Sequence, residues 1–185
     1  MSTTTATIVP TGTWNVDPAH SKVGFAVKHM GIATVRGEFT EFQGTLEIGG
    51  DLSSAKARGT VKAASVDTNE PQRDDHLRSP DFFDVAQYPE LTFESTSIQA
   101  VDGEHFRITG NLTIHGVTAE IVLTAEVQGT DVDPWGNERV GLEITGELSR
   151  GAYGMKFNQA LGSGNMLVAD KVKLALDVSA VKQAS

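Results

Sequence analysis

At 185 residues with no cysteine, the chain is sized for one well-packed domain held together without disulfides, thiolate chemistry or a Cys-ligated zinc. Fifteen Lys and Arg against 24 Asp and Glu leave a formal charge of -9, dispersed along the chain, which excludes nucleic acid as a natural partner and disfavours an anionic membrane surface. No segment has the apolar length of a membrane span, so integral insertion is not expected; the Thr-rich residues 1–11 lack the basic start and apolar run of a secretory leader and are read as a flexible tail, leaving 12–185 as the domain of a cytoplasmic protein.

From Trp14 onward apolar residues recur at every second position, the period of a strand with one buried face. The spacing predicts about eight strands: 13–29 with a kink at Asp17-Pro18, 34–48, 55–66, 90–98, 105–114, 117–128, 139–149 and 170–180. Phe39 and Phe42 break phase by one residue, which predicts a bulge between them. Gly49-Gly50-Asp51, Asp102-Gly103, His115-Gly116 and Asp133-Pro134-Trp135-Gly136 supply tight reversals, so neighbouring strands pair antiparallel. The strands are long, and a closed sheet removes exposed edges; an all-β, single eight-stranded antiparallel barrel is the expected architecture.

Strand parity turns Phe25, Val27, Phe39, Phe42, Phe93, Ile108, Leu112, Leu142, Ile144 and Leu176 inward. Small residues share the inward set: Ala57, Gly59, Ala63, Ser65, Gly110, Ala119, Ala125 and Gly146. They leave room for one apolar ligand, or they mark corners and close approaches in a filled core. Composition does not separate the two.

Arg73 to Pro89 is the long stretch that does not alternate. It reads as a short helical insertion, about residues 70–85, with Asn69 capping a first turn and Ser79-Pro80 opening a second, so that Leu77, Phe82, Phe83 and Val85 face inward and Arg73 pairs with Asp74 or Asp84. Asp74, Asp75 and His76 are its only chemistry-bearing cluster, and an enzyme acting on a lipid-like substrate would use His76 as proton carrier. Three consecutive residues on a helix fan about 100° apart, however, and cannot meet one ion. Asp17, His20 and Ser21 have the residue types of a hydrolase triad but sit too close in sequence to align as one; the expected role of Asp17-Pro18 is to shape a kink to which His20 bonds. The five histidines show no metal-ligand spacing, and no cofactor is expected.

Trp14-Asn15-Val16-Asp17-Pro18-Ala19-His20-Ser21, Val27-Lys28-His29, Gly37-Glu38-Phe39, Val66-Asp67-Thr68, Arg73-Asp74-Asp75-His76-Leu77, Asp81-Phe82-Phe83-Asp84, Tyr88-Pro89 and Gly110-Asn111-Leu112-Thr113-Ile114-His115-Gly116 together resemble the YceI family over about residues 12–180. The resemblance implies a lipocalin-like barrel whose elongated interior binds an isoprenoid or related long-chain lipid, such as a polyprenyl phosphate or an isoprenoid quinone, for carriage, storage or sensing. It implies binding without catalysis, makes the ten inward residues above ligand-binding candidates, and leaves a homodimer as an open expectation.

Overall fold

The structure is a computed structural model and describes residues 9–164 and 166–184. Eleven strands form one sheet: β1 (Gly12–Val16), β2 (Lys22–His29), β3 (Ala33–Phe39), β4 (Phe42–Ile48), β5 (Lys56–Lys62), β6 (Val66–Asp67), then α1 (Pro71–Arg78), and β7 (Glu90–Ala100), β8 (His105–Ile114), β9 (Val117–Val132), β10 (Glu138–Ser149) and β11 (Val168–Lys182). Every pairing is antiparallel.

Three of the eight predicted strands are broken, which turns eight into eleven without changing the ring. β1 and β2 are the halves of the first strand, separated by the 3-10 turn Pro18–His20, and both lie against β11. β3 and β4 are the halves of the second, and β5 and β6 those of the third. Because β1 pairs β4, β2 pairs β3 and β3 pairs β6, the halves stay in step, and the meander closes when β11 returns to β1 and β2. The result, among the described residues, is a closed eight-strand antiparallel barrel with one short α-helix.

The breaks have local causes. At Pro18 the ring fixes φ and removes a donor, and Asp17 caps the turn by accepting from the Ala19 N–H. Between Phe39 and Phe42 the chain interrupts the strand at Thr40-Glu41 rather than bulging within it; the Thr40 N–H donates to Ser65 O and the Glu41 N–H to Ser65 Oγ. Ala63 and Ser65 therefore belong to a 3-10 turn between β5 and β6, not to an inward strand face as their parity predicts.

The helical insertion is shorter than expected. α1 is capped by Glu70, whose carboxylate accepts from the Gln72 N–H, while Asn69, expected to cap it, sits at a φ of 65° outside the helix. Ser79 ends α1 instead of starting a second helix, and the chain after it is held by turns in which Phe83, Asp84 and Val85 N–H groups donate to Leu77, Ser79 and Arg78 carbonyls. Phe82 is buried and Leu77, Phe83 and Val85 are half-buried against the core.

For the predicted tail, residues 1–8 lie outside the described residues. Val9 is 5% exposed, and the buried Trp14 indole donates to Pro10 O at 3.0 Å.

Candidate ligand-binding cavity

Alternation along each strand points one row of side chains to the barrel interior, and on most strands that row is wholly apolar. The interior holds a cavity of about 250 Å³. Phe25, Phe39, Phe42, Phe93, Ile108, Leu112, Leu142, Ile144 and Leu176 line it, as their parity predicts. Val27 does not. It shares the inward face of Phe25 but stands opposite Val35 and Val172, next to the β2–β3 hairpin, beyond the reach of the lumen. Residues that alternation did not single out also contribute, among them Val9 from the N-terminal segment and Leu52 from the 3-10 turn after β4.

The small inward residues fall into both of the expected roles. Gly59 lies directly opposite Gly44 on one side and Phe93 on the other, and a methyl added there would meet only Gln43 O at 3.6 Å. The bare backbone of Gly59 leaves its space to the lumen, while Val16 lies over Gly44, whose Cβ would meet Val16 Cγ2 at 2.9 Å; Gln43, Thr45, Arg58 and Thr92, whose side chains face outward by parity, border the cavity around this pair. Gly37, Gly110 and Gly146 do the opposite: a Cβ at each would come within 2.5 Å of Phe25, Phe93 and Leu123 respectively. At these positions the absent side chain lets a neighbour lie flat across the strand.

The charged clusters do not reach the cavity. Asp74 is buried and accepts from the Thr68 N–H at 2.8 Å and from its hydroxyl; Asp75 pairs with Arg78 at 3.0 Å; His76 turns to Asp81 at 2.9 Å. The three do not converge. Arg73, expected to pair with Asp74 or Asp84, instead donates to the Thr68 hydroxyl and carbonyl, both at 2.7 Å, because Thr68 lies between it and Asp74. His76 stacks edge-on against Phe82 and Phe157, with centroids 5.0 and 4.8 Å away, while Phe83 packs edge-on against Phe39, itself a lining residue. The insertion is coupled to the lumen through that aromatic contact.

At the kink, His20 bonds Asp17 at 2.8 Å as expected, whereas Ser21 is exchanged with the main chain of Ser179 and does not join them. Arg139 bridges Asp17 at 2.9 Å and Asp133 at 2.8 Å. Its guanidinium, with main-chain donors of the 133–137 turn, holds the Asp133 carboxyl down at about 2, and lowers that of Asp17 together with His20.

Two residues outside every alternating pattern organise the segment between β10 and β11. Arg150, 5% exposed, donates to the carbonyls of Ala169, Met155, Phe157 and Val168, and burial pushes its pKa down. Tyr153, 1% exposed, follows in the same 3-10 turn, and its Gly154 neighbour takes a φ of 78° that ends the turn. An Arg and an aromatic among glycines directly after a strand were the available signal.

A family model described as the YceI-like domain matches residues 14–180, nearly the whole barrel. The chain belongs to the YceI family. Protein YceI of Escherichia coli O157:H7 is 38% identical over 165 residues, which cover 89% of this chain and 83% of its own. Among solved structures, the Campylobacter jejuni YceI protein has a TM-score of 0.73 at 32% identity, covering 91% of this YceI-like chain and 96% of its own. A polyisoprenoid binding domain from Saccharophagus degradans superposes with a TM-score of 0.69 at 17% identity over 92% of this chain and 98% of its own, a likeness of fold.

Proposed function

We propose that this barrel binds a long-chain amphiphile, an isoprenoid above all, and holds its tail in the lumen without acting on it. The observation that carries this reading is a cavity whose inward side chains are Phe, Leu, Ile, Val, Ala and Gly along the length of the barrel. An apolar lumen selects an apolar guest, and each methylene removed from water contributes about 0.8 kcal/mol. Family membership and the polyisoprenoid binding named for the Saccharophagus degradans domain support an isoprenoid over a plain alkyl chain. A binding role also fits the divergence of Asp74, Asp75 and His76.

The size of the lumen refines the ligand. At about 250 Å³ it lies just below the ~300–1,000 Å³ of pockets that enclose a drug-sized molecule, so the barrel as it stands holds only part of a long polyprenyl phosphate or quinone. The test is extraction of protein purified from a bacterial host, with mass spectrometry of the organic phase, alongside thermal melts with added prenyl lipids. A co-purifying isoprenoid and a raised Tm are expected; an empty extract with melts unmoved by any prenyl lipid removes the reading.

A further inference from the structure

β9 and β10 are paired from Val132 opposite Glu138 to Leu123 opposite Gly146, and there the ladder stops. Continuing the register would set Glu147 against Val122 and Leu148 against Ile121. Instead β10 keeps its pairing with β11 as far as Ser149, and β9 keeps its pairing with β8 back to Val117. Two strands that retain their outer neighbours and lose each other leave a fork in the barrel wall. A recess of about 910 Å³ lies at the fork, and Ile121, Leu148 and Leu174 line both this recess and the lumen. The same three side chains are thus shared between the inside of the barrel and its outer face.

Tyr153 stands at this junction. The turn that carries it contacts β9, β10 and β11, and Tyr153 lines the recess. Its buried hydroxyl has no hydrogen-bond partner among the described residues. An unbonded buried hydroxyl costs stability that a ligand oxygen would restore. Burial also raises its pKa, so the phenol remains a donor at neutral pH.

The charges around the recess decide what kind of oxygen. Arg36 and Lys173 share the recess with Glu120 and Glu147, Glu147 also pairs with Lys171 at 3.6 Å, and the neighbouring Arg150 has its guanidinium committed to four main-chain carbonyls. Three cations against two carboxylates leave one positive charge in excess, too little to compensate a diphosphate. One neutral donor in a recess of small net charge with an apolar lip, where Val122 is 49% exposed, matches an uncharged acceptor.

We infer that the fork between β9 and β10 is a side portal and head-group subsite, in which a neutral oxygen-bearing head, a quinone carbonyl or a prenyl alcohol, bonds to Tyr153 while the tail passes inward between Ile121, Leu148 and Leu174. This rests on the lipid-binding reading and adds to it the route and the head group. It also gives a long ligand somewhere to continue once the lumen is full.

The experiment titrates farnesol, farnesyl diphosphate and the headless hydrocarbon 2,6,10-trimethyldodecane into wild type and Tyr153→Phe, which removes only the hydroxyl. Tyr153→Phe should weaken farnesol about fivefold and leave the hydrocarbon unchanged, and the diphosphate should bind wild type no more tightly than farnesol. Because the chain has no cysteine, Val122→Cys and Val101→Cys each take a single bimane label, one at the fork and one at the β7–β8 turn, where Val101 is 56% exposed. Farnesol should shift the emission of the Val122→Cys conjugate alone. Unchanged farnesol affinity in Tyr153→Phe, a preference for the diphosphate, or a response only at the β7–β8 turn overturns the portal. Failure of farnesol and the hydrocarbon alike to bind wild type instead overturns the lipid reading beneath it.

Discussion

Gly59 and Gly110 face inward from the strands on either side of β7 and answer to opposite forces. At Gly110 a Cβ would lie 2.5 Å from Phe93 Cζ and 2.6 Å from Glu94 O; the ring has somewhere to go only at the expense of its packing, and the carbonyl belongs to a fixed ladder. Gly110→Ala should therefore destabilise by roughly 1–3 kcal/mol in urea unfolding. Gly59→Ala should be neutral or stabilising by up to about 1 kcal/mol, since the methyl enters open space and the unfolded chain loses freedom. A larger Gly59→Leu should keep the fold while excluding prenyl ligands, read as loss of the ligand-induced rise in Tm. Equal stability losses for the two alanine variants would contradict this division. The sequence shows that both glycines face inward, because parity is a local property. It does not show which of them is overlain, because that depends on the rotamer of a residue on the next strand.

The insertion between β6 and β7 and the segment between β10 and β11 stabilise each other as elements. Phe82 lies 7% exposed with Phe157 at 5.3 Å and the Arg150 guanidinium 5.9 Å over its ring. Phe82→Ala should cost about 3–5 kcal/mol, a buried-aromatic deletion that also frees Phe157. His76→Ala, at a side chain 42% exposed and paired only with a solvated Asp81, should cost about 1 kcal/mol, mostly from its two ring contacts. The reverse order in chemical denaturation would return the segment to a chemical role. Arg150→Lys should lose at least ~2 kcal/mol, because an ammonium cannot span the four carbonyls that the guanidinium fork reaches. A short helix and aromatic bulk were legible in residues 70–85, though not the caps, since Glu70 and not Asn69 begins the helix and Ser79 ends it; Arg150 and Tyr153 were not legible, since their partners are main-chain groups and strand ends distant in sequence. The fork between β9 and β10 was invisible for a related reason: Val117 to Val127 and Val140 to Leu148 alternate without interruption past the point where pairing stops. Alternation records which face is buried, and is silent on which edge is bonded. Val27 shows the same limit along the barrel axis, where parity gives the face and not the depth.

At the scale of the whole barrel, closure depends on β11 reaching both halves of the kinked first strand, and the Asp17–Arg139–Asp133 network clamps that joint to the β9–β10 turn. The joint is sensitive to acid. The Asp133 carboxyl is held from its ordinary 3.8 down to about 2, chiefly by Arg139, and Asp17 is lowered by the same guanidinium and by His20. A carboxyl depressed in the folded state contributes stability that is complete above its unfolded pKa and is lost as pH falls through its folded one, because the unfolded chain takes up the proton first. The contribution of the clamp should therefore be whole at neutral pH and decay between about pH 4 and pH 2. Replacing Arg139 by Gln returns both carboxyls toward their ordinary values and removes that differential proton uptake. Urea unfolding of Arg139→Gln at a series of pH values should show a lower stability at pH 7 and a shallower fall from pH 4 to 2 than wild type, so that the two curves converge in acid. Curves that stay parallel across that range would mean that other carboxylates, and not this joint, set the acid limit of the barrel.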